Sequence, residues 1–360
     1  MGNDIRETEV PFNIDRPLTK EEIEQTIFYC THDVEQTIEV FMERKNDFDA
    51  TMGLISTFNL PISSISKTHA QLSAEILNCS KKTRDDEFAY PLVDTLRLKK
   101  YKHVQEWFEN APNDCDIEMY EKFAECEHDS EAWKKAFYKR NLKINVCGVP
   151  HVFGWGGLHG APKEPIHRKG LILHVDVNSY YPSIMIRYNM LTRNSLTPEK
   201  FKEIYDYRLA LKAAGKKKEQ APYKIVLNGT YGISKDKYSQ AYDPMMANAV
   251  CVNGQLMLLD LLEHLEGHCE LIQSNTDGLI IMIPDTDEAF YKIDDICYEW
   301  EQRTGMGLGL DVIKEIYQKD VNNYVWIDED GNIERKGSYV QELTQLKYDL
   351  PIVNKAMVDY

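Results

Sequence analysis

Leu271-Ile-Gln-Ser-Asn-Thr-Asp277-Gly-Leu-Ile-Ile-Met282 is two apolar runs around a turn signal, a pattern that predicts a β-hairpin with Asp277 at its tip. A second run, Leu171-Ile-Leu-His-Val-Asp176-Val177, is short, apolar and rich in branched residues, and reads as a buried strand ending on a carboxylate. Carboxylates at the ends of buried strands are costly unless something positive neutralises them, and a divalent metal does so. On neighbouring strands of one sheet, Asp176 and Asp277 could bridge a pair of Mg²⁺ ions that clamp the attacking and leaving oxygens of an in-line phosphoryl displacement. Spacing alone is equally compatible with a turn residue and a helix cap.

Around these runs, helical patterns fill Pro198 to Lys218 and Pro222 to Tyr231, the second opening on proline and closing on Gly232. Lys224, Asn228 and Tyr231 share one helix face at i, i+4 and i+7, and Arg208 and Lys212 repeat the spacing on the preceding helix. Asp330-Gly331 is a turn between two short strands, Tyr324–Ile327 and Ile333–Arg335. Val146 to Arg168 is rich in glycine and proline and reads as loop. Near the N-terminus, Thr19-Lys-Glu-Glu22 fits a capping box, and Ile23, Ile27, Cys30 and Val34 recur at helical spacing, predicting an amphipathic helix to about Arg44. Leu54 to Ser66 reads as irregular, and helical patterns with polar joints and no recognisable chemistry run on to Arg140.

With 360 residues and 43% apolar content the chain can bury a sizeable core, in more than one lobe. No apolar run is read as long enough to span a bilayer, and the N-terminus lacks the basic and apolar regions of a signal peptide, so a soluble intracellular protein is expected. The eight cysteines form no Cys-x-x-Cys pair and predict reduced thiols, neither a zinc cage nor a disulfide framework. The net charge of −16 argues, as a sum, against nucleic acid. Its distribution is uneven, however. Acidic residues crowd Asp114 to Glu131 and the first fifty positions, while Lys134, Lys135, Lys139, Arg140, Lys143 and then Lys212, Lys216, Lys217 and Lys218 form basic clusters, each of which also reads as a solvated helix face.

Three segments, in order, carry a resemblance. Asp176-Val-Asn-Ser179-Tyr180-Tyr181-Pro182-Ser183 resembles the D-x-x-S-L-Y-P-S motif A of family B DNA polymerases, the polymerase alpha-like, phage-type group. Lys224-Ile-Val-Leu-Asn228-Gly-Thr-Tyr231-Gly232 resembles their motif B, K-x-x-x-N-S-x-Y-G, and Ser274-Asn275-Thr276-Asp277-Gly278 resembles motif C, Y-G-D-T-D-S. The resemblance implies Asp176 and Asp277 as catalytic metal ligands, with the Val177 carbonyl completing a coordination sphere around Mg²⁺, for which Mn²⁺ can substitute. It implies Tyr181 beneath the sugar, where a 2′-hydroxyl would clash, and Arg208, Lys212, Lys224 and Asn228 around the deoxynucleoside triphosphate. Tyr231, Gly232 and Thr276 then lie near template and primer. Motif C departs from the family at Asn275 and Gly278, which touches only the auxiliary role of its first position.

Looser matches extend the resemblance. Phe153-Gly-Trp155-Gly156-Gly157 is similar to the family's template-contacting Y-x-G-G/A segment, with a ligand-free glycine turn as the other reading. Tyr324 stands where a K-x-Y motif grips the primer terminus, without its lysine, and Lys336-Gly337 follows. Tyr29 and Asp33 resemble the Y-x-x-x-D third motif of the proofreading exonuclease, but no D-x-E precedes them, so exonuclease activity is not expected from this chain alone.

The fold expected from the resemblance is α+β: a polymerase palm of antiparallel sheet with packed helices, short helical fingers, a helical remnant of an RNase H-like exonuclease domain and the start of a thumb. The expected divisions are 1–50 for the exonuclease remnant, 51–165 for a helical connector and template loop, 166–195 and 233–316 for the palm, 196–232 for the fingers, and 317–360 for a truncated palm-to-thumb transition. The implied partners are primer–template DNA, deoxynucleoside triphosphates and a complementary polymerase or exonuclease fragment, with no membrane. The implied setting is replication by a phage or mobile element in a bacterial cytoplasm. A non-catalytic DNA-binding remnant or subunit is the alternative, and a two-aspartate nuclease a third that leaves motif B without a purpose.

Overall fold

A computed structural model describes residues 7–111, 131–338, 340–341 and 355–358. The chain divides into two compact units, one of residues 1–66 with 341–360 and one of residues 67–340.

In the first unit, helix α1 (Lys20–Glu43) starts at the expected capping box, Thr19 accepting from the Glu22 amide and Glu22 from the Thr19 amide. Its apolar stripe lies open: Ile23, Ile27, Val34, Ile38 and Phe41 are all exposed, and no residue of the helix is buried. Helix α2 (Lys45–Thr57) and a 3₁₀ turn (Ile62–Ser66) follow. Leu54 to Ser66 is thus more regular than expected, because Leu54 and Ile55 are the buried face of the last turn of α2.

The second unit is built on a nine-stranded antiparallel sheet. Its strands are β1 (Leu142–Val146), β2 (Val149–Phe153), β3 (His159–Gly160), β4 (Ile166–Val177), β5 (Glu270–Asn275), β6 (Gly278–Met282), β7 (Leu308–Asp320), β8 (Asn323–Asp328) and β9 (Ile333–Lys336). Their order is β1-β2-β3-β5-β6-β4-β7-β8-β9. The helices of this unit are α3 (His69–Ile76), α4 (Lys102–Asn110), α5 (Glu131–Phe137), α6 (Tyr180–Arg187), α7 (Pro198–Ala213), α8 (Ala221–Lys235), α9 (Pro244–Leu265) and α10 (Asp287–Thr304). A mixed fold of antiparallel sheet and helices is therefore present, as expected.

Strand β4 is an inner strand of the sheet, paired with β6 on one side and β7 on the other. Alternation divides its side chains: Leu173, Val175 and Val177 are fully buried, while Ile172, His174 and Asp176 share the opposite face. On that second face Ile172 joins Ile272, Ile280, Ile313 and Ile316 in a compact apolar cluster that Trp326 packs against.

Helix α9 corrects the expectation that no apolar run could span a bilayer. It is 22 residues long, and its most apolar 18 residues have a mean hydropathy of 1.4, but 89% of that stretch is buried within the protein, as in a core helix. Three further expectations change. Val146 to Arg168 holds strands β2 and β3 and the start of β4, not loop alone. Helix α7 ends at Ala213, short of Lys218, and α8 runs through Gly232 to Lys235. Most of the acidic stretch from Asp114 to Glu131, with Cys115 and Cys126, lies outside the described residues; the six described cysteines are free thiols.

Candidate active site

Asp176 and Asp277 meet at the ends of adjacent strands. The register pairs Asp176 with Gly278 and Asn275 with Gly278 across the hairpin, and the Val177 amide donates to the Asp277 carbonyl at 2.7 Å. The two carboxylates differ in setting. Asp277 is exposed at the hairpin tip, contrary to the expectation that both would be costly, whereas Asp176 is mostly covered. Burial, reinforced by the negative charges of Asp277 and Asp311, pushes the Asp176 carboxyl up to about 6, with Lys212 the opposing influence. Neither carboxylate has an ion-pair partner among the described residues.

This donor set fits a divalent cation. Two carboxylates on neighbouring strand ends, one desolvated and repelled by its neighbours, are held together at a cost that a bound cation would relieve. Among the described residues no group of three or more His, Cys, Asp or Glu side chains that could hold a metal ion is found.

Gly278 has a physical reason to be glycine. A Cβ there would lie 3.0 Å from the Val175 carbonyl oxygen and 3.2 Å from Asp176 Oδ1. The departure from the serine of motif C thus leaves room for the Asp176 carboxylate.

Two residues missed by motif reading also face this end of the sheet. Asp311 on β7 pairs in register with His174, and its carboxylate lies 3.7 Å from His174 Nδ1. The His174 ring tilts against Trp326 at 5.0 Å between centroids, and its burial lowers the affinity of the ring for a proton. The i, i+2 spacing of His174 and Asp176 was the available signal; Asp311 had none, because β7 itself was unread.

The helices carry the cations. Ser179, in the left-handed region at φ 50°, turns the chain from β4 into α6, and its hydroxyl accepts a hydrogen bond from Arg208 Nη1 of α7 at 2.6 Å. Arg208 is buried, with Nε unpartnered, and desolvation lowers its pKa. Lys212, Lys224 and Asn228 are exposed. Tyr181 and Tyr231 pack with ring centroids 4.6 Å apart, joining motif A to motif B, and α7 meets α8 through Tyr207 and Tyr223 at 5.0 Å. Gly232 lies on the open face of α8.

The glycine-rich segment reaches the same hairpin by a different route from that expected. Trp155 is a core residue: its indole sits among Tyr90, Trp107, Phe108, Phe137 and Tyr138, and its Nε1 is buried without a partner. What it offers outward is its carbonyl, which accepts from Lys235 Nζ at 2.8 Å. Gly156 is exposed, and Gly157 lies against Thr276, whose side-chain atoms would collide with a Cβ at this position. Strand β3 then pairs with β5, His159 opposite Asn275.

On the far side of β4, Tyr324 is buried and stacks on Trp326 at 5.3 Å. Lys336 is its cross-strand partner on β9, and the ammonium lies 5.8 Å from the Tyr324 ring centroid. The lysine absent two residues before Tyr324 thus has a counterpart on the neighbouring strand. Tyr29 and Asp33 are on α1, in the other compact unit; the Tyr29 hydroxyl bonds the Asp33 carboxylate, which raises the phenol pKa.

No protein-family model matches the sequence, and no curated protein matches it. Among solved structures the chain is similar to the family B DNA polymerase from the hyperthermophilic archaeon Pyrobaculum calidifontis, at 14% sequence identity and a TM-score of 0.46, over 95% of this chain and 44% of that one. The chain thus spans less than half the length of the polymerase it resembles.

Proposed function

We propose that this chain is a DNA-directed DNA polymerase that transfers a deoxynucleoside monophosphate from its triphosphate to a primer 3′-hydroxyl. The observation that carries the reading is the register of β4 on β6, which sets Asp176 beside the hairpin bearing Asp277, neither of them ion-paired among the described residues and Lys212 only a weak opposing charge on Asp176. Asp176, Asp277 and the Val177 carbonyl would hold two Mg²⁺ ions, with Mn²⁺ able to substitute. When bound, such ions supply charge neutralisation on the phosphoryl oxygens and on the attacking and leaving groups.

The chain's own residues do the rest by positioning. Lys212 and Lys224, with Arg208 behind Ser179, present positive charge toward the triphosphate, where it stabilises the phosphoryl oxygens as the bond breaks. Tyr181, braced by Tyr231, forms the floor under the sugar and disfavours a 2′-hydroxyl. Asn228 lines the nucleotide, Gly156, Gly157, Gly232 and Thr276 border the template, and Tyr324 with Lys336 holds the primer end. No covalent intermediate is needed, since orientation and electrostatics account for the class of reaction. The setting we favour is intracellular replication by a phage or mobile element, with a complementary polymerase or exonuclease fragment as partner.

Primer extension with Mg²⁺ and deoxynucleotides tests this, beside Asp176→Asn and Asp277→Asn. Extension by the wild type and a loss of at least roughly 10²-fold in each folded variant is expected. A folded wild type that binds primer–template and never extends it would replace this reading with that of a DNA-binding subunit.

A further inference from the structure

The functional row on α8 does not stop at motif B. Lys224, Asn228 and Tyr231 are followed on the same face by Lys235, four residues beyond Tyr231, and none of the four is buried. At 1.5 Å per residue the row spans ~16 Å from Lys224 to Lys235. Lys235 lies with its ammonium 5.4 Å from the Tyr231 ring centroid while it donates to the Trp155 carbonyl, next to exposed Gly156.

Beyond the helix end the surface continues. Asp236 Oδ1 accepts from the Tyr238 amide at 2.9 Å, fixing a turn that holds the Tyr238 side chain outward at 83% exposure, with Lys237 Nζ 5.4 Å from its ring. Between this turn and α3 lies a cavity of about 590 Å³ whose lining includes Gln71, Asn78, Tyr238, Ser239 and Gln240. Lys81 borders it, its amide donating to Gln240 Oε1 at 3.3 Å and its ammonium to the Lys237 carbonyl. The two carboxylates in the lining already accept hydrogen bonds, Glu75 from Lys67 at 2.8 Å and Asp236 from the Tyr238 amide. In a chain of net charge −16, Lys81 and Lys237 border this turn and Lys235 ends the helix row beside it.

We infer that this surface holds the unpaired template strand: the nucleotides 5′ of the templating base follow the α8 row past Lys235 and stack on Tyr238 above the cavity, their phosphates on Lys235, Lys237 and Lys81. The inference rests on the polymerase reading. If Lys224 faces the triphosphate and Tyr231 the nascent pair, the next place along the row belongs to the next template nucleotide. An outward aromatic ring flanked by lysines is what sequence-tolerant single-strand binding uses, because every base has a stacking face.

The test is equilibrium binding of the full chain to one labelled primer annealed to templates with a one-nucleotide or an eight-nucleotide 5′ overhang. The wild type should prefer the long overhang by about 10-fold, and Tyr238→Ala with Lys237→Gln should bring the ratio close to one. Thermal melting confirms that the variant is folded, and Tyr238→Phe, which keeps the ring, should restore the preference. A wild type that extends primers but binds both overhangs equally, or a folded double variant that keeps the preference, overturns the inference alone. A chain that neither extends nor binds either template overturns the polymerase reading with it.

Discussion

Two sets of aspartates in the second unit are treated in opposite ways. Asp243 and Asp260 are wholly buried, and each meets an arginine: Arg193 gives Asp243 its amide, Nε and Nη2 at 2.8, 2.9 and 2.6 Å, and Arg303 Nη2 reaches Asp260 at 2.7 Å. Asp176 is partly desolvated too, yet the charges that act on it most are those of Asp277 and Asp311, with Lys212 a weaker opposing one. The fold supplies arginines to two of these carboxylates and not to the third. Asp243 and Asp260 close on the protein, whereas the pair at the end of β4 has no ion-pair partner among the described residues.

The largest effect should come from breaking a closed carboxylate. Asp243→Ala leaves Arg193, three-quarters covered, with only Asp86 at 2.5 Å, and removes the acceptor of the Arg193 amide. Removing one partner of a buried pair costs about 3–5 kcal/mol, so urea unfolding should show a loss of that order with the slope unchanged. Asp176→Asn, by contrast, should not destabilise the metal-free protein above pH 6. Equal destabilisation by both variants would dissolve the distinction between the two sets.

How much of this was legible from the sequence follows from the kind of signal each part carries. The motif hairpin was readable because β5 and β6 are apolar runs around a polar turn. The β1–β2 hairpin was not: its turn is Cys147-Gly148, both at positive φ, 51° and 81°, with Val146 opposite Val149. That is the geometry normally announced by Asn-Gly, and a cysteine in that place hides it. Helix α9 escaped because it is buried on nearly every side, Asn253 and Asp260 included, so no 3.6-residue stripe stands out. Strand β7 escaped because register shifts, one between Ile313 and Glu315, break its alternation. The converse failure is α1, whose stripe is legible and whose helix forms, yet whose Ile27 and Val34 lie about 60% exposed; periodicity predicts a helix, not what covers it. Asp176 lies beside the Asp277 hairpin and Tyr181 packs on Tyr231, whereas Trp155 went to the core and Asp311 arrived unread.

The open pair should also show itself in pH dependence. The folded-state pKa of Asp176, about 6, stands above its ordinary value of 3.8, so between these two pH values the folded state holds the extra proton. Stability contributed by this group is therefore present below about pH 4 and lost as pH rises through 6. After allowance for solvent screening the loss is on the order of 2 kcal/mol. Expressed as the difference between wild type and Asp176→Asn in metal-free buffer, the wild type should fall behind between pH 4 and 7. Mg²⁺ should reverse the trend, because its affinity rises as the carboxyl deprotonates. A difference independent of pH would mean that Asp176 is not desolvated in solution.

The smallest effect sharpens the comparison most, because it restores the residue that motif C would place at position 278. Gly278→Ser puts a Cβ within about 3.2 Å of Asp176 Oδ1 and 3.0 Å of the Val175 carbonyl, so a shift of a few tenths of an ångström is required. Backbone oxygen in a central strand yields less readily than a carboxylate at a strand end, so Asp176 is the group that moves. A misplacement of 1 Å can cost about 10²-fold in rate, and a few tenths should lower kcat by roughly 3- to 10-fold while KM for the nucleotide changes little. Folding should be nearly unaffected, since an open carboxylate can be displaced without stranding a partner. If stability fell and kcat held, the strain would have gone into the sheet, and the β4 end would be as closed a structural element as Asp243.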